Sequence, residues 1–147
     1  MFKTRKSVQI NRSPQDVFDY VNDPANDANW QGPIESSRWT SEGPPGVGST
    51  KESVIKFLGR KSESTSEVTI WDPPNTTGFR LIGGPMQFQG TFGFESTGEG
   101  GTELTEDFEF EFGGFFKLAE GLVGKRLEKQ LETDFDALKL LLESEQG

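Results

Sequence analysis

The spacing of apolar residues changes along this chain from every second residue to every third or fourth, and this change constrains the fold most strongly. Alternation is clearest in Met86–Glu95 and Thr102–Phe112, where phenylalanines occupy one face and polar residues the other. Such alternation is typical of an antiparallel sheet with one solvated face. From Phe115 to about Ser144, leucines recur at helical spacing with charges between them. We therefore predict a long C-terminal helix that packs on a phenylalanine-lined antiparallel sheet.

The residues before these segments predict one strand, two short helices and further strands. Phe2–Ile10 alternates loosely, as a strand does. Ser13-Pro14-Gln15-Asp16 has the N-cap, the N1 proline and the first-turn acid of a helix start, and Pro24 should end that helix. A further helical turn is predicted over Ala25–Trp30. The later strands are predicted at Ile34–Thr40, Ser49–Leu58, Lys61–Trp71, Thr77–Ile82, Met86–Glu95 and Thr102–Phe112. We predict that residues 1–147 form a single α+β domain.

Composition argues against several classes of function. The 147 residues include no cysteine and no histidine, so we expect no disulfide, no metal site and no cofactor. A formal charge of −9 opposes binding to nucleic acid or to an anionic membrane surface. The N-terminus lacks the apolar run of a signal peptide, and no segment approaches the roughly 20 apolar residues that span a bilayer. We expect a cytoplasmic protein without membrane insertion, either a monomer or a weak homodimer.

The segment Gly43–Thr50 resembles a nucleotide-binding phosphate loop but lacks its essential parts. The motif requires a lysine before its final serine or threonine, and Ser49 stands in that place. A strand is predicted to follow, so no helix N-terminus would point at a phosphate. We interpret the segment as a glycine- and proline-rich connection between strands.

Glu106 has the parity of the phenylalanines in its strand, so it is predicted to face the apolar side of the sheet. A carboxylate in that position requires a raised pKa or a cationic partner. The candidate partners are Arg80, Lys51 and Arg126. The alternatives are a structural ion pair and a glutamate that reaches water at the strand end.

Three serines at alternate positions share one face of a predicted strand with two aliphatic residues. The five residues are Ser62, Ser64, Ser66, Val68 and Ile70. A two-residue turn at Gly59-Arg60 would place them on the same face as Ser53, Ile55 and Phe57. If that face is inward, the serines leave volume and hydroxyl groups for a cavity with polar anchors. A three-residue turn reverses the parity and leaves the serines in solvent.

The phenylalanines and two glycines also suggest a pocket. Thirteen phenylalanines are many for the modest aliphatic content of the chain, and large rings beneath a single helix tend to leave gaps. Gly121 and Gly124 each cost about 1 kcal/mol relative to alanine in a helix interior. A bend or a close backbone approach at the pocket mouth would compensate for this cost, and an irregular first turn is the alternative.

Several short motifs follow one another at a characteristic spacing. They are Ser13-Pro14-Gln15-Asp16-Val17-Phe18-Asp19-Tyr20-Val21, Asn29-Trp30, Gly46-Val47-Gly48, Phe57-Leu58-Gly59-Arg60, Asp72-Pro73-Pro74 and the terminal amphipathic helix. In this order they resemble the START-like or Bet v 1-like superfamily (SRPBCC), in its polyketide cyclase/dehydrase and lipid-transport branch. The resemblance implies a helix-grip fold, in which a bent antiparallel sheet of six or seven strands wraps around the long helix. It also implies a hydrophobic cavity between them, with the glycine-rich loop beside its entrance.

The resemblance implies that the protein binds a small hydrophobic molecule such as a lipid, a polyketide-like compound or an aromatic compound. The ligand-binding residues expected on this basis are Trp30, Phe57, Ser64, Ser66, Val68, Phe79, Leu81, Met86, Phe88, Phe92, Glu106, Phe108, Phe110, Phe115, Ala119, Leu122 and Val123. We predict the entrance at Phe115–Gly124, where the helix would face the glycine-rich loop.

Two other functions remain open at this point. A cyclase or dehydratase-type enzyme would use Glu106 as general base and Arg80 as oxyanion stabiliser, although the family has no shared catalytic signature. A stress-response or co-chaperone-like interaction module would have a filled cavity and an exposed apolar patch. We expect a binding protein rather than an enzyme.

Overall fold

The computed structural model describes residues 2–83, 86–112, 117 and 119–144. In chain order the elements are β1 (Phe2–Ile10), α1 (Pro14–Val21), a 3₁₀ turn (Pro24–Asn26), α2 (Asp27–Trp30), β2 (Ile34–Trp39), β3 (Thr50–Phe57), β4 (Arg60–Asp72), β5 (Thr76–Gly83), β6 (Met86–Ser96), β7 (Thr102–Phe112) and α3 (Glu120–Ser144). This is the predicted order, and the strand boundaries differ from the predicted ones by at most one residue.

The seven strands form one curved antiparallel sheet in the order β1-β7-β6-β5-β4-β3-β2. Consecutive strands from β2 to β7 are therefore neighbours, and β1 pairs with β7 to complete the sheet. In the β6–β7 pair, Phe88 lies opposite Phe110 and Phe92 lies opposite Glu106. Because directly opposed residues share a face, this register gathers the phenylalanines of both strands on the concave side. The predicted helix-grip α+β fold is confirmed.

Helix α1 begins and ends as its sequence indicates. The Ser13 hydroxyl accepts a hydrogen bond from the Asp16 amide at 3.2 Å, and Pro14 occupies the first turn. At the other end, the Asn22 side-chain amide donates to the Phe18 carbonyl at 2.9 Å. The Phe18 ring is buried and makes edge-to-face contacts with Trp71 and Phe94. Helix α1 thus closes one end of the sheet.

Helix α3 lies on the concave face with its apolar stripe inward. Its buried residues include Val123, Leu127, Phe135, Leu138 and Leu142. At 1.5 Å per residue, the 25 residues of this helix span roughly 38 Å. The predicted helix began at Phe115, and that start lies largely outside the described residues. Within the described residues, no helix is long and apolar enough to cross a membrane.

The two glycines of α3 have different surroundings. A Cβ atom on Gly124 would lie 2.5 Å from the Phe2 ring, whereas a Cβ atom on Gly121 would have no neighbour within 4 Å. Gly124 therefore permits a close approach of helix and sheet, as one of the two interpretations predicted. Its neighbour, however, is the ring of β1 and not the mouth of a pocket.

The β3–β4 turn and a bulge in β4 decide which side chains face inward. The turn has two residues, Leu58 and Gly59, both with positive φ, and it lies one residue earlier than predicted. It preserves the predicted parity, so Ser64 lies opposite Ser53 and both are buried. Farther along β4, the pairing with β5 shifts between Val68 and Ile70. Ile70 is consequently 39% exposed, which corrects its predicted inward position.

Alanine substitutions at the two glycines test this packing. We expect Gly121→Ala to raise the free energy of unfolding by about 0.5–1 kcal/mol, because alanine has the higher helix propensity. Gly124→Ala should lower it by about 1 kcal/mol, because displacing the Phe2 ring outweighs the same propensity gain. Urea denaturation of both variants measures the difference. Equal stabilisation by both would show that the Phe2 contact contributes nothing.

A candidate ligand-binding cavity between sheet and helix

A cavity of about 200 Å³ lies between the concave face of the sheet and α3. Strands β2 to β7 form its floor, α3 forms its roof, and the segment after α2 closes one side. Its lining residues are Val21, Gln31, Pro33, Ile34, Lys51, Ser53, Ile55, Phe57, Ser64, Ser66, Phe79, Leu81, Met86, Phe88, Phe92, Phe108, Phe110, Leu127, Gln130, Leu131 and Asp134. Apolar side chains predominate, as in sites that bind small organic molecules.

Phenylalanine rings from β6 and β7 form the apolar part of the wall. The Phe88 and Phe108 ring centroids are 5.0 Å apart in an edge-to-face arrangement, and those of Phe92 and Phe108 are 5.3 Å apart. Such contacts hold aromatic rings in defined positions. Gly90 lies between Phe88 and Phe92, and a Cβ atom there would lie 2.3 Å from the Phe108 ring. The glycine in β6 therefore makes room for a ring of β7.

Serine hydroxyls form one polar part of the wall. Ser64 and Ser66 on β4 and Ser53 on β3 are all buried and line the cavity. The Ser53 hydroxyl is 2.8 Å from that of Ser37 on β2. The inward interpretation of the serine face is thus confirmed for Ser64 and Ser66. A small side chain at these positions leaves open the volume that a larger aliphatic residue would occupy.

Lys51 places an ammonium group at the cavity wall. Its Nζ donates to Asp27 Oδ2 at 3.0 Å and lies 5.0 Å from the centre of the Phe79 ring. Asp27 is almost fully buried, and burial raises the pKa of its carboxyl while the Lys51 ammonium lowers it. Lys51 therefore pairs with Asp27 and not with Glu106, and no sequence pattern indicated this contact.

Asp134 places a carboxylate at the opposite wall, on α3. Its Oδ1 accepts hydrogen bonds from the Gly32 amide at 3.0 Å and from Gln130 Nε2 at 2.8 Å. Burial raises the pKa of Asp134, and these two hydrogen bonds act in the opposite direction. Asp134 was not among the site residues predicted from the sequence. A signal was available, because Asp134 follows Leu127 and Leu131 at helical spacing on the apolar stripe.

Glu106 faces inward as predicted, but it lies in the core and outside the cavity lining. It is 1% exposed, and its Oε1 has no hydrogen-bond partner among the described residues. Burial and the nearby Asp134 carboxylate raise the pKa of Glu106 to about 8, while the Lys6 ammonium lowers it. Lys6 itself binds Glu128 at 3.0 Å and Glu132 at 2.8 Å. A pKa of about 8 favours the protonated, uncharged form of this core residue at neutral pH.

The structure brings ten of the predicted ligand-binding residues together in the lining. They are Phe57, Ser64, Ser66, Phe79, Leu81, Met86, Phe88, Phe92, Phe108 and Phe110. Trp30, Val68 and Val123 are buried but are not among the lining residues. Ala119 is partly buried against the core, and Leu122 is 69% exposed. Phe115 lies outside the described residues.

Arg80 and the glycine-rich loop occupy other places than predicted. Arg80 is on the outer face of the sheet, where its guanidinium binds Glu67 at 2.7 Å. The loop Gly43–Thr50 ends where β3 begins, and its Gly48 amide donates to the Val68 carbonyl at 2.9 Å. None of its residues lines the cavity. Among the described residues, no group of acidic side chains is arranged to hold a metal ion.

The raised pKa of Glu106 predicts how stability depends on pH. Between its ordinary value of 4.5 and about 8, the folded protein keeps the Glu106 proton while the unfolded chain has released it. The free energy of unfolding should therefore fall as pH rises through this window, with a Glu106 contribution on the order of 5 kcal/mol.

The isosteric variant Glu106→Gln isolates this contribution. Denaturant titrations of both proteins from pH 5 to 9 should show a smaller loss of stability in the variant. Parallel curves for the two proteins would mean that Glu106 is ionised in the folded state.

Comparison with solved structures shows a shared fold. TTHA0849 from Thermus thermophilus is 21% identical, with a TM-score of 0.84 over 99% of each chain. A START superfamily protein from Mycobacterium smegmatis is 17% identical, with a TM-score of 0.81 over 98% of this chain and 99% of that one. The di-domain ARO/CYC BexL from the BE-7585A biosynthetic pathway is 15% identical, with a TM-score of 0.74 over 95% of this chain and 45% of that one.

Comparison with protein families identifies the group to which these features belong. A search of curated protein sequences finds no match. The family described as polyketide cyclase / dehydrase and lipid transport matches residues 1–143, which is nearly the whole sequence. This match agrees with the START-like fold and with the cavity beneath α3. The chain belongs to the polyketide cyclase/dehydrase and lipid-transport family.

Proposed function

We propose that the protein binds a small, mainly apolar molecule in the cavity beneath α3. The observation that carries this proposal is the cavity itself, an apolar space bounded by ordered phenylalanine rings. Its volume of about 200 Å³ exceeds the ~150 Å³ of an engineered apolar cavity that takes up benzene. A ligand of one or two rings, or a medium-length alkyl chain, fits this size.

The polar side chains at the wall would orient such a ligand. Ser64, Ser66 and the Lys51 ammonium lie on the sheet side, and Asp134 lies on the helix side. A few polar groups in an apolar pocket fix orientation, while burial of apolar surface supplies most of the affinity. The family name, which includes cyclases and lipid transport, supports a hydrophobic ligand of this kind.

Catalysis through Glu106 and Arg80 is not part of the proposal. Glu106 lies in the core outside the cavity lining, and Arg80 is on the outer face of the sheet. A general base and an oxyanion stabiliser must reach the same bound substrate, and these two side chains point to different sides of the sheet. The interaction-module alternative expects a filled cavity, and the space beneath α3 favours ligand binding over it. The cytoplasmic location and the oligomeric state stay predictions.

A substitution that fills the cavity tests the proposal. We expect 2-naphthol, a fluorescent two-ring probe, to bind the wild-type protein and to bind Ser64→Leu at least about tenfold more weakly, because leucine occupies the ligand volume. Thr65→Leu adds the same side chain at the next position, on the other face of β4, and should leave the affinity unchanged. Fluorescence titration measures all three proteins.

Two results would contradict the proposal. One is equal 2-naphthol affinity in Ser64→Leu and wild type. The other is the absence of any thermal shift across a panel of lipids and aromatic compounds, together with no copurifying compound in native mass spectrometry.

A further inference from the structure

A surface groove of about 380 Å³ adjoins the cavity at the β3–β4 hairpin. It is lined by Gly32, Pro33, Lys56, Phe57, Leu58, Arg126, Lys129, Gln130 and Thr133. Pro33, Phe57 and Gln130 also line the cavity. The groove and the cavity therefore share a wall made of these three residues, and a molecule that passes between them would contact both.

Three cationic side chains converge on this groove. Lys56 comes from β3, and Arg126 and Lys129 lie about one turn apart on α3. All three are exposed, and none makes an ion pair with a described residue. No carboxylate lines the groove in the part of the chain that the structure describes.

This grouping contrasts with the rest of the protein. The chain has 24 acidic residues against 15 basic ones, and at least nine of the basic residues are in ion pairs. Because acidic residues outnumber basic ones, the chain contains enough carboxylates to pair with every basic side chain. Lys129 is close enough to Glu132 to help lower the pKa of that carboxyl, but none of the three cations forms a salt bridge with a described residue. Together they provide a local positive field in an acidic protein, and such a field favours an anion.

We infer that this groove binds the anionic head group of an amphipathic ligand whose apolar part occupies the cavity. The inference rests on the proposed function and specifies its ligand class, an apolar chain or ring system that ends in a carboxylate or phosphate.

The charges inside the cavity favour the same orientation. Asp134 lines the helix side of the cavity, and in its ionised form its carboxylate would repel an anionic head group that entered there. Among the described lining residues only Lys51 carries an ammonium group, and Asp27 already neutralises it at 3.0 Å. An anionic ligand therefore places its apolar part inward and its head group at Lys56, Arg126 and Lys129.

Three probes with the same eight-carbon chain test the head-group preference. They are octanoate, 1-octanol and octylamine, with anionic, neutral and cationic heads. We expect calorimetric titration at low ionic strength to give octanoate about tenfold higher affinity than 1-octanol, and octylamine the lowest affinity. The advantage of octanoate should shrink in ~0.5 M salt, because salt screens exposed charges.

Matched variants locate the source of the preference. The triple variant Lys56→Gln, Arg126→Gln, Lys129→Gln should bind octanoate and 1-octanol equally, with its 1-octanol affinity unchanged. The control Lys125→Gln removes a neighbouring charge of α3 that does not line the groove, and it should keep most of the preference. Thermal unfolding of each variant verifies that it is folded.

Each contrary result has a defined meaning. Equal affinity of wild type for octanoate and 1-octanol overturns the inference and leaves the proposed function intact, whereas no binding of any octyl probe contradicts both. A preference that survives the triple variant but is lost in Lys51→Met places the head group inside the cavity and overturns the inference. A membrane surface is the other possible occupant of the groove. If octanoate binds no better than 1-octanol, but the wild-type protein cosediments with phosphatidylcholine/phosphatidylglycerol vesicles and the triple variant does not, the groove binds a membrane surface and the inference is overturned.

Discussion

One helix covers a sheet that is much wider than itself, and the rest of the structure depends on this mismatch. Seven strands at about 4.8 Å spacing span roughly 29 Å, whereas a helix with its side chains is about 10–12 Å across. Curvature of the sheet reduces the uncovered area but does not remove it. Helix α3 packs closely on the β1 side, where Gly124 meets the Phe2 ring. The less closely covered area therefore falls on the strands farther from β1, and the cavity lies over strands β2 to β7.

Phenylalanines and serines keep this space from closing. The rings of β6 and β7 brace one another edge to face, so they cannot all rotate into the gap. Ser64 and Ser66 are too short to cross it. Several buried polar groups add a cost, since Asp27, Glu106 and Asp134 all have raised pKa values because of burial. Asp134 lines the cavity itself, and Asp27 is hydrogen-bonded to Lys51, which lines it.

Features that depend on a local residue pattern could be predicted from the sequence. Alternation in β6 and β7 identified the concave face, and the Ser13-Pro14 start identified α1. The inward position of Ser64 follows from its place in the alternation of β4, given that the β3–β4 turn has two residues. The outward position of Arg80 could also have been predicted from the alternation of β5, because Phe79 and Leu81 on either side of it face the cavity.

The remaining contacts depend on how distant elements meet. Lys51 and Asp27 come from a strand and a short helix, and nothing in either segment specifies the partner. The same holds for the groove beside the cavity. Its residues come from the segment after α2, from the β3–β4 hairpin and from α3. A strand pattern indicates which face a residue occupies, but it does not say which side chains of distant elements meet there.

The central claim is that the space beneath α3 is an accessible apolar binding cavity, and xenon uptake tests it most directly. Apolar cavities of this size bind xenon without specific polar contacts. In a crystal pressurised with xenon, the account predicts an anomalous-scattering peak in contact with Phe88, Phe108 and Leu131. A crystal structure with no xenon there, and with these side chains packed against one another, would contradict it.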